Sequence, residues 1–337
     1  MSSQDLSPET SSSPHIAVVV PCYRVRDHIL PLLARMGPEV SSVFVVDDAC
    51  PQQSGNHVQE HCHDPRVRVV FHEQNQGVGG AVITGYAEAL KAGADVVVKI
   101  DGDGQMAPEL LPHFVRPLID GEADYAKGNR FYALENLRGM PVVRLVGNAG
   151  LSLLTKLSTG YWNIFDPTNG YTAIQAQALS RLPLEKIARR YFFETDLLFR
   201  LNTLRAVVVD VPMEALYAQE QSNLRISRVL FEFSWKHLRN LLKRIFYNYY
   251  LRDMSLASLE LPLGLVLMFG GIGFGLKAWV ESAALGVATP AGTVMLAALP
   301  ILLGVQLVLA FIGFDVSNVP RRPLQKALGF RPCVKRQ

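Results

Sequence analysis

Two long apolar stretches near the C-terminus, LELPLGLVLMFGGIGFGLKAWV (259–280) and TVMLAALPILLGVQLVLAFIGF (293–314), constrain this chain more than any other feature. As a helix each would extend roughly 30 Å, about the thickness of a bilayer's hydrocarbon core. The loop between them, ESAALGVATPAG (281–292), is short and rich in Gly, Ala and Pro, so the pair reads as a membrane hairpin over 256–315. Lys277 stands near the end of the first stretch, where its ammonium can snorkel to the interface. Arg239, Lys243, Arg244 and Arg252 precede the hairpin; Arg321, Arg322, Lys326, Arg331, Lys335 and Arg336 follow it; the loop has no Lys or Arg. By the positive-inside rule both ends are cytoplasmic, which predicts a multi-pass protein of a bacterial-type inner membrane or its equivalent, with a basic cytoplasmic tail at 316–337.

Ahead of the hairpin, ISRVLFEFSWKHLRNLLKRIFYNYYLR (226–252) mixes large apolar and basic residues at helical spacing. That pattern predicts an amphipathic helix lying on the membrane surface over 226–255. The first residues, 1–14, are polar and Ser/Pro-rich with no apolar signal core, and read as a disordered tail. Four scattered cysteines with no CxxC pair fit reduced thiols. A net charge of only +3 points away from a nucleic-acid partner.

Between these segments the chain alternates. IAVVV (16–20), VFVV (43–46), VRVVF (67–71) and DVVVKI (95–100) are short, β-branched runs, as strands buried on both sheet faces are. Helical patterns lie between them at 27–36, 54–63, 79–92 and 107–119, and further strands are expected at 123–127, 171–175 and 206–211. Such alternation predicts an α/β layered domain with a mostly parallel sheet.

The sharpest chemical motif is IDGDGQMAPE (100–109). Directly after a buried strand it delivers Asp101 and Asp103, and ligands of open α/β sheets bind at the carboxyl ends of strands. Two hard oxygen donors there suit Mg²⁺ or Mn²⁺ shared with a substrate diphosphate, and Gln105 can add a third oxygen. Pro21 and Tyr23 end the first strand; Asp47 and Asp48 end the second. One of those aspartates can accept from a nucleoside while the other caps the next turn. NQGVGGAVITGY (75–86) reads as a helix start whose glycines allow close packing or close approach of a donor. His57, His61 and His63 have metal-ligating side chains but fall in a surface helix away from the strand ends.

The ordered set VVPCYR, VVDDACP, NQGVGGAVITGY, IDGDGQMAPE, KGNRF (127–131), FDPTNGYTAI (165–174) and RRYFFETDLLFRL (189–201) resembles glycosyltransferase family two, and within it the polyprenyl-phosphate (dolichol-phosphate mannose synthase-like) branch. The resemblance implies a GT-A fold, a Rossmann-like mixed, mostly parallel sheet flanked by helices, as a catalytic domain over 15–225. It implies that Pro21, Tyr23 and Asp48 contact the nucleotide, and that Asp101, Asp103 and Gln105 hold the metal and diphosphate. It further implies that Arg130 neutralises phosphate charge, that Asp166 sits beside sugar and acceptor, that Glu194 or Asp196 is the acidic residue on the acceptor side, and that Arg225 meets a phosphate near the membrane. Arg24-Val25 and Ala49-Cys50 depart from the family's usual Asn-Glu and Gly-Ser.

The function implied is inverting transfer of a sugar from a UDP- or GDP-sugar to a polyprenyl phosphate. A transferase acting on a hydroxyl of a lipid-linked saccharide, with Glu194 or Asp196 as base, is the second reading. A membrane nucleotide-sugar-binding scaffold is the non-enzyme reading. A processive synthase is disfavoured because the chain lacks QxxRW and has too few spans. Assembly of identical copies is compatible with the sequence.

Overall fold

The computed structural model describes residues 13–132, 142–167, 169–213 and 226–327, with 142–146 and 226–231 as backbone only. The tail at 1–12 and Arg225 lie outside the described residues. The chain divides into two compact units: residues up to Asn240 together with those from Pro320, and Leu241–Val319.

The first unit is built on seven strands: β1 (Ile16–Cys22), β2 (Val40–Asp47), β3 (Val67–Phe71), β4 (Val96–Lys99), β5 (Tyr125–Asn129), β6 (Thr172–Gln175) and β7 (Val208–Pro212). Their order is β3-β2-β1-β4-β6-β5-β7. β6 runs antiparallel to β4 and β5, and every other pairing is parallel. This is the mixed, mostly parallel sheet expected. Helices α1 (Arg26–Ala34), α2 (Ser54–His61), α3 (Val78–Lys91), α4 (Leu111–Ile119), α5 (Val142–Thr159), α6 (Ala176–Leu179) and α7 (Phe193–Thr203) connect the strands.

The β-branched runs are strands because their side chains have apolar partners on the sheet faces. Val18 stands opposite Val43 on one side and Val98 on the other. Val18, Val20, Val43, Val45, Val96 and Val98 join Ile29, Leu32, Phe114 and Leu118 in one buried cluster. Each such side chain contributes about 1.5–3 kcal/mol on leaving water. β3, at the sheet edge, is only half-buried, with Arg68 and Phe71 exposed. The register brings the carboxyl ends of β1, β2 and β4 together at one edge, and there the chemical motifs sit.

Residues after Pro320 return to this unit. The buried carboxylate of Asp124 accepts from Leu324 N at 2.9 and 3.0 Å and from Val207 N at 2.7 Å. Gln325 Nε2 donates to Leu118 O at 3.0 Å.

The second unit holds the end of α8 (Ile226–Phe246), a π-helical turn at Tyr247–Arg252, and two long helices, α9 (Leu256–Leu285, 30 residues) and α10 (Ala291–Ser317, 27 residues). α9 and α10 are long and apolar enough to cross a membrane, and Leu263, Val266, Phe269, Leu302 and Leu309 on them are exposed. Arg244 donates to both carboxylate oxygens of Asp315 at 2.6 and 3.0 Å, and Tyr249 Oη adds a bond at 2.6 Å. All three are buried. The ion pair ties the segment before the first long helix to the end of the second.

Candidate active site

β4 ends at Lys99, and the chain then turns sharply. Asp103 Oδ1 accepts from Gln105 N at 3.0 Å, Gly104 adopts φ +76°, and Asp101 N donates to Met106 Sδ at 3.3 Å. Asp101, Asp103 and Gln105 are therefore brought together on one tight turn at the sheet edge, as their spacing predicts. The β1 exit lies against this turn: a Cβ on Gly102 would stand 3.2 Å from Pro21 O.

Beneath the turn lies Lys99, which sequence reasoning missed. Its ammonium is 1 % exposed. Nζ sits 2.8 Å from Asp101 Oδ1, 3.4 Å from Glu194 Oε1 and 3.1 Å from Gly170 O. Burial alone would pull its pKa down; the facing Asp101 and Glu194 carboxylates outweigh that and keep the ammonium charged. Burial pushes the Glu194 carboxyl up, Lys99 opposes it, and Asp101 adds to it. The signal available was a lysine inside an otherwise apolar strand, two residues before a carboxylate.

The donor set fits a hard divalent cation. Asp101 Oδ1 is buried and faces Lys99 as an ion pair, with no further hydrogen-bond donor among the described residues. Among the described residues no three His, Cys, Asp or Glu side chains converge to hold a metal by themselves. Asp101 and Asp103 would thus supply only part of a coordination shell, with the rest from Gln105, water and substrate oxygens. The histidines form no such group: the His57 and His61 rings pack together at 4.5 Å between centroids, on α2.

A second cluster forms where β5 ends. Arg130 Nε and Nη2 donate to Asp166 Oδ2 and Oδ1 at 2.7 and 2.8 Å, and Asn169 Nδ2 adds 3.2 Å to Oδ2. Asp166 is buried at φ +51°, a left-handed conformation rare for an aspartate. The buried Lys127 ammonium holds it there by bonding the carbonyl oxygens of Asp166, Phe165 and Gly128. Burial raises the Asp166 carboxyl's pKa, but the Arg130 and Lys127 charges outweigh it and keep it below the usual range. Lys127's own pKa is lowered by burial, partly offset by Asp166 and Asp210. Gly170, four residues after Asp166, connects this cluster to the first: a Cβ there would collide with the Asp101 carboxylate and crowd Lys99 Nζ.

The strand-end aspartates are both buried and committed. Asp47 accepts from Cys50 N at 2.7 Å and Gly55 N at 2.6 Å. Asp48 accepts from Gln76 N and Gly77 N at 2.8 Å each, and lies 2.8 Å from His72 Nδ1. Asp48, expected on the nucleotide, anchors the turn that starts α3. Gly80 N donates to Arg189 O at 3.0 Å, and a Cβ on Gly77 or Gly79 would stand 2.7 or 2.6 Å from the carbonyl oxygen of Arg189 or Ala188, so these two glycines allow close packing against 188–193. Tyr23, just past the β1 exit, is exposed, with the Arg24 guanidinium 5.4 Å from its ring centre. Asp196 is set apart from Glu194, its side chain accepting from Ala188 N, Arg200 Nε and Asn240 Nδ2 at 3.0, 3.2 and 3.2 Å.

Residues 17–182 match the sequence model of the family described as Glycosyl transferase family 2. The chain is 35% identical over 168 residues to a UDP-N-acetylglucosamine–dolichyl-phosphate N-acetylglucosaminyltransferase of Methanococcus voltae, covering 50% of this chain and 66% of that one, just under two thirds of it. It is 32% identical to an undecaprenyl-phosphate mannosyltransferase of Micrococcus luteus, covering 59% of this chain and 82% of that one. In fold it is similar to glucosyl-3-phosphoglycerate synthase of Mycobacterium tuberculosis, crystallised with Mn²⁺, uridine diphosphate and glucosyl-3-phosphoglycerate, at a TM-score of 0.52 and 23% identity over 68% of this chain and 80% of that one.

Proposed function

Because the chain belongs to glycosyl transferase family 2, we propose that it is a membrane-bound, inverting transferase that moves a sugar from a UDP- or GDP-sugar to a polyprenyl phosphate. The observation that carries this reading is the meeting, on Lys99, of the Asp101–Gln105 turn, Glu194 and the turn that bears Asp166. Relatives named for transfer to undecaprenyl and dolichyl phosphate support the acceptor class.

Asp101, Asp103 and Gln105 would hold Mg²⁺ or Mn²⁺, whose charge, when bound, offsets that of the departing nucleoside diphosphate. Pro21, Tyr23 and Asp48 would contact the nucleotide, with Asp48 also anchoring the 75–77 turn. Arg130, locked by Asp166 and 32 % exposed, directs a fixed positive charge to the phosphates. A lipid phosphate is already anionic near neutral pH, so the site has to place it rather than deprotonate it. Glu194 favours the second reading in one respect: its raised pKa suits a general base for a hydroxyl acceptor.

The catalytic domain is assigned to the cytoplasmic side. The basic residues that flank the two long helices, with no Lys or Arg in the loop between them, support that side.

The test is the purified full chain with a panel of UDP- and GDP-sugars, a polyprenyl phosphate and Mn²⁺ or Mg²⁺, with lipid products read by mass spectrometry. A polyprenyl-phosphate sugar is expected from one donor class and none from Asp103→Ala. Turnover only on hydroxyl acceptors, or full activity in Asp103→Ala, would overturn the reading.

A further inference from the structure

We propose that Lys99 is the positioning residue of the metal site, fixing Asp101 in the orientation that a divalent cation requires. The proposal rests on the reading that Asp101 and Asp103 hold that cation. Three segments far apart in sequence meet on this one ammonium: Asp101 from the β4 exit, Gly170 O from the turn after Asp166, and Glu194 from the first turn of α7. A lysine placed only to balance one carboxylate needs one partner. Lys99 faces Asp101 on one side while Glu194 and a carbonyl oxygen hold its own Nζ, so its charge stands at one place beside the Asp101 carboxylate.

The packing is closed from the other direction too. At Gly170 a side chain would strike the Asp101 carboxylate and come within 2.6 Å of Lys99 Nζ. The absence of a Cβ there lets Asp101 and Lys99 share the space. Lys99 itself lies under the carboxylate, 1 % exposed, and does not reach substrate. It acts through Asp101, as outer-shell partners do when they orient a ligand.

Its positive charge repels a cation while its hold on Asp101 favours one, so replacing Lys99 alone mixes two opposed effects. The informative variant is Lys99→Met/Glu194→Gln, which removes one cation and one carboxylate together. Binding of Mn²⁺ with the nucleoside diphosphate of the preferred donor, followed by the free Mn²⁺ electron paramagnetic resonance signal, needs no turnover. Wild type should bind and Asp103→Ala should not; if Asp103→Ala binds like wild type, the metal reading itself falls. The double variant should bind roughly 10–100-fold more weakly, with its metal-free unfolding temperature accounting for none of the loss. If it binds as tightly as wild type while Asp103→Ala does not, Lys99 is a fold residue only and the proposal fails. Should the double variant not fold, Gly170→Ala displaces Asp101 with every charge intact. Weakened Mn²⁺ binding in folded Gly170→Ala supports the assignment; wild-type affinity there overturns it.

Discussion

Arg130 grips Asp166 at two points, Nε on one carboxylate oxygen at 2.7 Å and Nη2 on the other at 2.8 Å. A planar fork of this kind fixes orientation as well as charge, and a lysine cannot reproduce it. Arg130→Lys should therefore lower kcat/KM by about 100-fold or more, the scale seen when one fixed donor to a developing charge is lost. Asp166→Asn should cost a similar amount by releasing the guanidinium. Because each acts through the other, the double variant should lose little more than the worse single one. Losses that simply multiply would show that the two residues act separately.

Glu194 and Asp196 are separated by one residue but differ in duty. Asp196 satisfies a backbone N–H, an arginine and an asparagine, so Asp196→Asn should destabilise the fold by about 1–3 kcal/mol. Its kcat/KM, measured well below the melting temperature, should stay within a few-fold of wild type. Glu194 faces Lys99 and the carboxylate turn. If phosphate is the nucleophile, Glu194→Gln should cost little activity; a loss of several orders of magnitude would indicate a hydroxyl acceptor.

The strands and the Asp101–Gln105 turn were legible because their signals are local: β-branched runs such as DVVVKI, and two carboxylates one residue apart at a strand end. The pairings were not. Arg130 and Asp166 are joined across 36 positions, Lys99 and Glu194 across 95, and Leu324 returns to Asp124 across 200. No periodicity encodes such contacts; they follow from strand order. Asp47 and Asp48 show the converse limit. The sequence located both at the β2 exit, yet which oxygens remain for a ligand depends on the backbone N–H groups that fold back onto them.

Ala49 shows what one departure from the family pattern costs. It stands where the family has glycine and adopts φ +52°. A Cβ in the left-handed region costs roughly 1–2 kcal/mol, partly returned by the smaller unfolded-state entropy of alanine. Ala49→Gly should raise stability by up to about 1 kcal/mol and leave the metal dependence of transfer unchanged. A lower melting temperature in that variant would show that the turn needs the methyl group.

The return of the C-terminal segment predicts a stability effect far from the site. Asp124 is fully buried, and burial pushes its carboxyl pKa up while the N–H groups of Val207, Leu324 and Gln325 oppose it. Asp124→Ala leaves buried N–H donors of Leu324 and Val207 without their acceptor, at about 1–3 kcal/mol each. The variant should melt earlier, and limited proteolysis should cut first near residues 320–327. Cleavage unchanged from wild type would show that the segment is held by other contacts.

His237 gives the stability of the first unit a pH dependence whose sign follows from its surroundings. It lies on α8, 4 % exposed, with Nδ1 2.8 Å from Ser158 Oγ and the Phe192 ring edge-on at 5.1 Å. Burial pushes its pKa down to about 4 from the ordinary 6.5, because the apolar wall penalises the imidazolium. Above pH 6.5 the ring is neutral in both folded and unfolded chains, and its full contribution is present. Between 6.5 and about 4 the unfolded chain takes up a proton that the folded one resists, so stability falls as the pH falls. The loss approaches about 3 kcal/mol at the lower end and levels off below it. Unfolding temperatures of wild type and His237→Gln, compared from pH 7.5 to 4.5 in one detergent, isolate this group because the carboxylates titrate alike in both. The wild type should decline more steeply; parallel curves would mean that His237 reaches solvent when protonated.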